Sequence, residues 1–313
     1  MAKGQHSRSE PVDGLLLLNK PAGLSSNQAL QKVKRLLQAK KAGHTGSLDP
    51  AATGMLPLCF GEATKVCAYL LNADKTYRVT AKLGIATDTG DAEGTETARG
   101  EVPALSADEW NEILQGFRGE SLQVPPMYSA LKKDGKRLYE LARKGEVVER
   151  APRPIRVDEI ELLEAAGTRL VFRVRCSKGT YIRSLVEDIA RVAGTVAHTA
   201  RLHRENVGDF RAEDMLDLKG AEAVAADGPG PLREQLLPPD SALAGLPDVG
   251  LENGLAAKFC GGQVVPGGEA GQTGLARVYG ENREFLGVGE LSEDGMIAPR
   301  RVFRVASGSP VDN

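Results

Sequence analysis

The segment Gly43-His44-Thr45-Gly46-Ser47-Leu48-Asp49-Pro50-Ala51-Ala52-Thr53-Gly54 is the most informative stretch of this 313-residue chain. It is a glycine-rich loop with a single carboxylate, Asp49, placed directly before a proline. Because glycine adopts backbone angles that other residues avoid, such loops can hold a functional side chain in a fixed position. A residue before proline is driven towards extended geometry, so Asp49 is expected to lie outside any helix.

Charge is unevenly distributed along a chain whose net charge is only −2. Residues 14–48 contain six lysines and arginines and no acid, and residues 128–156 contain nine bases and four acids. Residues 212–252 instead contain two bases and nine acids. Segregated charge can build a basic face on a near-neutral protein, so a nucleic-acid partner is compatible with the composition. Lysines on exposed helices are the simpler explanation for either basic window alone.

Hydrophobic periodicity predicts strands and helices on both sides of the loop. An apolar run predicts a buried strand at residues 14–19, and strict alternation predicts strands at 76–83 and 169–176. Helices are predicted after Ser25 or Ser26, at 62–71, after Ser106, near 137–144 and from Thr180. The core side of the last helix is expected to carry Leu185, Val186, Ile189 and Val192.

Composition narrows the class of protein. The chain is 41% apolar and 26% charged, which is ordinary for a soluble globular protein, and no apolar run could span a bilayer. Residues 1–12 are polar, have no signal-peptide core and are expected to form a flexible tail. The cysteines form no C-x-x-C pair, so reduced thiols in the cytoplasm are expected and a metal site is not. They are Cys59, Cys67, Cys176 and Cys260.

Asp49 is the leading candidate for a nucleophile or a general base. A carboxylate performs either role only when it is positioned and partly desolvated, and an arginine commonly holds it ionised. Arg183 is the candidate partner, because it lies in the first turn of a predicted helix, where the dipole disfavours a cation. A surface arginine bonded to solvent is the plainer alternative.

Each of the other candidate residues also has a structural explanation. Tyr77 faces the apolar side of its strand and would ordinarily be a core residue, although an aromatic ring can stack on an extruded base. His44 could contact a phosphate or a base, or simply face solvent. Lys20 could pack its stem along the end of a strand, and Tyr181 could pack between strand and helix.

Several motifs, occurring in the right order, closely resemble those of the TruB family of pseudouridine synthases. The resemblance covers about residues 12 to 306, and the departures are conservative, such as Asn19 for Asp and Ser47 for Ala. The motifs are Leu16-Leu17-Leu18-Asn19-Lys20-Pro21-Ala22-Gly23, the Asp49 loop, Lys75-Thr76-Tyr77, Thr87-Asp88-Thr89, Pro125-Pro126-Met127-Tyr128-Ser129-Ala130-Leu131-Lys132 and Cys176-Ser177-Lys178-Gly179-Thr180-Tyr181-Ile182-Arg183.

The resemblance implies an α+β fold with three parts after the tail. Residues 13–247 would form a catalytic domain on a mixed, mainly antiparallel sheet flanked by helices. An RNA-clasping, thumb-like insertion would occupy about residues 125–153. Residues 248–313, which are rich in glycine, turns and short apolar runs, would form a small PUA-like β-barrel domain that binds RNA.

The resemblance also implies an activity: conversion of uridine-55 in the T-arm loop of tRNA to pseudouridine, by base flipping, without a cofactor or a metal. Asp49 would be the catalytic aspartate and Arg183 its ion-pair partner, and Tyr77 would stack on the flipped base. Residues that would contact the substrate or support the loop are His44, Tyr181, Leu202 and Lys20. A cytoplasmic monomer that binds the T-arm stem-loop and no membrane is expected.

Three alternatives stay open at the level of sequence. The protein could be a catalytically idle RNA-binding module, a relative that works in a guide-RNA complex, or an unrelated aspartyl hydrolase. The role of Asp49 is open too: it could attack the sugar C1′, attack the base, or remove a proton from C2′.

Overall fold

The computed structural model describes residues 12–133 and 135–303 of the chain. The tail predicted at residues 1–12 lies outside the described residues except for Val12, which is buried. The strands are β1 (Gly14–Lys20), β2 (Ala42–His44), β3 (Thr53–Phe60), β4 (Lys75–Leu83), β5 (Ile85–Thr87), β6 (Glu96–Arg99), β7 (Gly119–Gln123), β8 (Lys132–Lys133), β9 (Lys136–Arg137), β10 (Arg153–Ala166), β11 (Arg169–Cys176), β12 (Ala197–Val207), β13 (Leu216–Asp217), β14 (Asp248–Gly250), β15 (Val265–Pro266), β16 (Gly274–Tyr279), β17 (Phe285–Leu291) and β18 (Met296–Val302).

Helices pack around these strands, and two of the predicted caps form. The α-helices are α1 (Ser26–Leu36), α2 (Cys67–Asn72), α3 (Ala107–Gln115), α4 (Leu138–Ala142), α5 (Ile182–Val192), α6 (Leu218–Val224), α7 (Gly230–Glu234) and α8 (Asn253–Cys260). Short 3₁₀ helices lie at Gly61–Val66, Ala212–Asp214 and Pro239–Leu243. Capping boxes at Ser25 and Ser106 satisfy the first free amides of α1 and α3.

The large sheet is mixed and mainly antiparallel, which confirms the predicted α+β class. Its strand order is β13-β1-β3-β12-β4-β11-β10-β7, with β2 beside β3. Among the described strand pairs of this large sheet, only β1–β13 and β3–β12 are parallel. The alternation of β4 has the predicted consequence, since Tyr77, Val79, Ala81 and Leu83 are all buried.

Three details of the helix predictions are wrong. The segment predicted as one helix at 62–71 is a 3₁₀ helix followed by α2. The helix predicted to start at Thr180 starts at Ile182, because Tyr181 keeps extended backbone angles as its N-cap. Val192, the last residue of α5, is 61% exposed and does not lie on the core side of the helix.

A five-stranded sheet forms the C-terminal unit, in the order β14-β16-β17-β18-β15. It has its own apolar cluster, and the end of the unit packs on the 3₁₀ helix at Gly61–Val66. At that junction Val66 contacts a cluster that includes Phe303, and the Lys65 ammonium lies 5.3 Å from the centre of the Phe303 ring. The C-terminal unit therefore contacts the segment that directly follows β3.

The topology brings four chain segments to one place. The Asp49 loop connects β2 and β3, and β12 lies between β3 and β4. Helix α5 follows β11, the neighbour of β4 on its other side. The loop, the start of α5 and the β4 residue Tyr77 therefore converge, although they are far apart in sequence.

Candidate active site

The Asp49 loop is held by hydrogen bonds from both flanks. The Ser26 hydroxyl accepts from the Leu48 amide at 2.8 Å and donates to the Leu48 carbonyl at 3.1 Å. The Pro50 carbonyl accepts from the Gly23 amide at 2.9 Å, and the Ala52 amide donates to the Asp49 carbonyl at 3.1 Å. Asp49 lies outside helix and strand, as predicted for a residue before proline. The loop backbone is therefore fixed on each side of the carboxylate.

Arg183 forms an ion pair with Asp49, with 3.1 Å between Nη2 and Oδ2. The arginine side chain is 8% exposed, whereas the aspartate side chain keeps 45% of its surface accessible. The buried partner is thus the cation, and the carboxylate faces the open side of the site. This arrangement orients the carboxylate without covering it.

Three further oxygens hold the Arg183 guanidinium in place. Its Nη1 donates to the Thr89 carbonyl at 2.9 Å and lies 3.6 Å from Oδ2 of Asp91. Its Nη2 donates to the Tyr128 carbonyl at 2.7 Å. Arg183 therefore joins the Asp49 loop, the turn after β5 and the insertion that follows β7. Sequence reasoning missed Asp91, which follows the Thr87-Asp88-Thr89 motif by two residues.

Opposing effects act on the pKa of Asp49. Burial raises the pKa of Asp49 above its ordinary value, and the Asp91 carboxylate acts in the same direction. The Arg183 guanidinium and the Lys20 ammonium lower this pKa. The net direction is upward, which makes Asp49 more basic and more nucleophilic than a free carboxylate while the ion pair favours its ionised form.

Two tyrosines and one leucine line the same region. Tyr77 is buried with Leu48 and Ala52 in the main core cluster, and Leu202 of β12 packs against that cluster. Burial raises the pKa of both Tyr77 and Tyr181, and the charge of Asp49 adds to each rise. Both tyrosines are therefore neutral at pH 7 and lie within electrostatic range of the aspartate.

Gln123, another residue that sequence reasoning missed, holds Tyr181 through its backbone. The Gln123 side-chain amide donates to the Tyr181 carbonyl at 3.1 Å, and its oxygen accepts from the Tyr181 amide at 2.8 Å. These two hydrogen bonds fix the backbone of Tyr181, the residue before α5, and link it to the end of β7. The signal was weak, because a glutamine at the end of an edge strand has no characteristic pattern.

Lys20 and His44 lie behind the loop. The Lys20 ammonium is fully buried and donates to the carbonyls of Pro21, Leu24 and Pro50, the last at 3.2 Å. Burial lowers the pKa of Lys20 to about 8. Burial and the nearby Arg204 guanidinium lower the pKa of His44, so its imidazole is neutral at pH 7. Nδ1 of His44 is buried without a hydrogen-bond partner among the described residues.

Lys75, at the start of β4, gives a prediction on stability. Its ammonium caps α2 by donating to the carbonyls of Leu70, Leu71 and Ala73, and burial lowers its pKa from 10.5 to about 8. Between these values the unfolded chain binds more protons at this position, so this group makes the free energy of unfolding rise with pH. From pH 7.5 to 9.5 the rise is about 2 kcal/mol.

Urea denaturation of the wild type and of Lys75→Met at both pH values measures this rise. The difference between the two proteins should shift by that amount in favour of the wild type at the higher pH. A difference that does not change with pH would show that Lys75 titrates normally in the folded state.

Neither a metal cluster nor a membrane span is found within the part of the chain that the structure describes. No group of three or more His, Cys, Asp or Glu side chains there could hold a metal ion. No helix there is long and apolar enough to cross a membrane.

Sequence comparison assigns the chain to a family. It is 51% identical over 294 residues to "tRNA pseudouridine synthase B" of Pseudomonas putida, covering 94% of this chain and 96% of the relative. The chain belongs to the TruB family of pseudouridine synthases. The protein of the same name from Nitrosococcus oceani is 48% identical over 308 residues, which is 98% of this chain and the whole of that relative.

Family models and solved structures agree with the TruB assignment. The models for the TruB family pseudouridylate synthase N-terminal domain, the tRNA pseudouridylate synthase B C-terminal domain and the pseudouridine synthase II TruB C-terminal region match residues 34–182, 183–244 and 247–303. A Cbf5-Nop10-Gar1 complex contains a chain with a TM-score of 0.70 and 28% identity, covering 91% of this chain and 80% of that one. The archaeal box H/ACA sRNP Nop10-Cbf5 complex contains a chain with a TM-score of 0.71 and 26% identity, and the match covers 94% of this chain and 86% of that one.

Proposed function

We propose that this protein converts uridine-55 in the T-arm loop of tRNA to pseudouridine, with Asp49 as the catalytic aspartate. The observation that supports this most strongly is the Asp49–Arg183 ion pair, in which a buried cation orients an accessible carboxylate. The relatives named tRNA pseudouridine synthase B support the choice of RNA, because they match this chain over nearly its whole length.

The reaction is an isomerisation in which no atom is gained or lost overall. The bond between N1 of uracil and C1′ of ribose breaks, the base turns, and a bond forms between C5 and C1′. The proton on C5 then leaves and N1 acquires one. Asp49 can serve each of the three roles open to it, at C1′, at the base or at C2′, because its carboxylate is accessible and its pKa is raised.

We propose that the neighbouring side chains form the pocket for an extruded base. We assign stacking on the base to Tyr77, and contact with the base or its sugar to Tyr181 and Leu202. Removing a uridine from its stack costs a few kcal/mol, which an aromatic surface and phosphate contacts offset. We propose that the neutral imidazole of His44 occupies the space that the flipped base leaves in the RNA loop and replaces its lost partner there. Lys20 supports the Asp49 loop through Pro50.

Exposed bases on two elements form the surface that we propose for the RNA backbone. On α1 and the turn after it they are Lys32, Arg35, Lys40 and Lys41, and on the β8–β9 hairpin they are Lys132, Lys133, Lys136 and Arg137. The second group belongs to the insertion at about 125–153, which contacts the site through the Tyr128 carbonyl. RNA binding should therefore weaken steeply as salt concentration rises.

We further propose that the functional units are residues 13–247 for catalysis and 248–313 for RNA binding, the latter PUA-like. The family models support this division, since their boundary falls between 244 and 247. We also propose that the protein is a monomer in the cytoplasm. The scattered free cysteines accord with the cytoplasm, where thiols stay reduced. Light scattering of the purified protein at micromolar concentration tests whether it is a monomer in solution.

The stand-alone enzyme is favoured over a subunit of a larger particle. The solved relatives in the Cbf5 complexes share 26–28% identity with this chain, against 48–51% for the two tRNA pseudouridine synthase B relatives. A synthase of this kind should act on tRNA with no added protein or RNA. A requirement for either addition would favour the complex instead.

Tritium release tests the proposed activity directly. RNA containing [5-³H]uridine and folded as a T-arm stem-loop should release its label as water when the purified protein is added, because C5 loses its hydrogen. The control is the same stem-loop with cytidine at position 55. Equal release from both RNAs, or none from either, would rule out the proposed substrate position.

A further inference from the structure

Arg204 is the largest side chain that is fully buried, at 1% exposure, and sequence reasoning gave it no role. It lies on β12, where it pairs with Gly54 of β3 on one side and with Tyr77 of β4 on the other. Its strand thus separates the end of the Asp49 loop from the strand that carries Tyr77.

The Arg204 guanidinium bonds to both ends of the Asp49 loop. Its Nε donates to the Met55 carbonyl at 2.6 Å, and its Nη2 donates to the Gly46 carbonyl at 2.9 Å. Gly46 precedes Asp49 by three residues and Met55 follows it by six. A single rigid side chain therefore closes the loop at its base.

The same guanidinium also acts on Tyr77. Its positive charge lowers the pKa of that phenol, against the larger effect of burial, and the two residues are paired across β12 and β4. Two residues of the proposed site therefore depend on Arg204: the aspartate through its loop and the tyrosine through the strand pairing and the nearby charge.

Arg204 forms no ion pair within residues 12–133 and 135–303, and its hydrogen-bond partners there include two backbone carbonyls. The nearby cations Lys20 and Lys75 have their pKa values lowered partly by its charge. A buried cation is unfavourable unless hydrogen-bond acceptors surround it, and a lysine ammonium would supply only a compact point charge at this position. The planar, five-donor guanidinium instead matches several acceptors in fixed directions.

We propose that Arg204 is a positioning residue, which closes the Asp49 loop against β12 and so holds the carboxylate in register with Tyr77 on the neighbouring strand. The effect of Arg204 on the reaction rests on the proposed function, whereas its effect on the Asp49 loop does not. Displacement of a reacting group by about 1 Å can slow a reaction about 100-fold, so a modest loosening of this loop has a large consequence.

Arg204→Lys tests the proposal because lysine keeps the charge but cannot reach both carbonyls. Single-turnover pseudouridine formation on the T-arm stem-loop should fall about 100-fold, with the dissociation constant for RNA changed less than about threefold. The matched control is Arg233→Lys, since Arg233 also donates two N–H groups to a carbonyl, that of Leu37, away from the site. The control should keep its rate within about threefold of wild type.

Hydrogen exchange supplies a readout that is independent of any substrate. Amides of residues 46–55 should exchange faster in Arg204→Lys, while those of β11 and α5 stay as protected as in the wild type. If the wild type proves inactive on every tRNA, the proposed function fails, and this measurement still tests the role of Arg204.

Three outcomes would overturn the proposal: a rate equal to that of Arg233→Lys, unchanged exchange over residues 46–55, or loss of cooperative unfolding in both Arg204→Lys and Arg204→Met. The last outcome would make Arg204 a requirement of the whole fold instead of a support for the site.

Discussion

Asp49→Asn should abolish pseudouridine formation, with a fall of at least about 10⁴-fold in the single-turnover rate, while RNA binding changes little. An amide of the same shape is neither a nucleophile nor a base, so the chemical step loses its reactive group. Folding should survive, because Arg183 keeps its bonds to the carbonyls of Thr89 and Tyr128 and its contact with Asp91. The rate and a filter-binding isotherm on the same RNA measure the two effects.

A matched control is Glu93→Gln, which removes one negative charge from an exposed position near the site. It should keep the wild-type rate within about twofold, since an exposed charge contributes little. Near-normal turnover in Asp49→Asn would show that another group performs the chemistry. An equal loss in Glu93→Gln would show that charge alone, and not the position of Asp49, is responsible.

Gly54→Ala should lower the free energy of unfolding by more than about 3 kcal/mol. The backbone of Gly54 has a φ of +102°, and a Cβ there would lie 2.2 Å from the carbonyl oxygen of Arg204 and 2.6 Å from its nitrogen. These are backbone atoms of β12, so the clash cannot be relieved by rotating a side chain. The parallel β3–β12 pairing would have to separate. Urea denaturation followed by circular dichroism measures the loss.

Gly119→Ala separates the clash from backbone strain. Gly119 has a φ of +96°, close to that of Gly54, but a Cβ there would have no neighbour within 4 Å. Strain alone should cost about 1–2 kcal/mol. If the two variants lost the same amount of stability, the close approach of β3 to β12 would be absent in solution.

Local patterns in the sequence predicted the elements well. The alternation in β4 and β11 placed Tyr77 and Cys176 on the buried face, and the polar residues before α1 and α3 formed the predicted caps. These features depend on neighbours two to four residues apart, which a sequence displays directly. The end of α5 was less predictable, because Val192 continues the apolar pattern although it is exposed as the last residue of the helix.

Contacts in the site between residues far apart in the chain could not be predicted from local sequence patterns. The pairing of Arg183 with Asp49 could be proposed from chemistry and from the family resemblance, but its distance required the fold. Asp91 and Arg204 were missed because no spacing links them to Asp49, and their positions follow from the strand order β3-β12-β4 and from the turn after β5. Their roles depend on contacts between segments far apart in the chain.

The most direct test of the central claim is to map pseudouridine in a full-length unmodified tRNA transcript after incubation with the purified protein alone. Carbodiimide labelling followed by reverse transcription marks each pseudouridine by a stop. The account predicts one new stop, at uridine-55, that is absent with Asp49→Asn. Stops only at other uridines, or a stop at uridine-55 that persists with the variant, would contradict it.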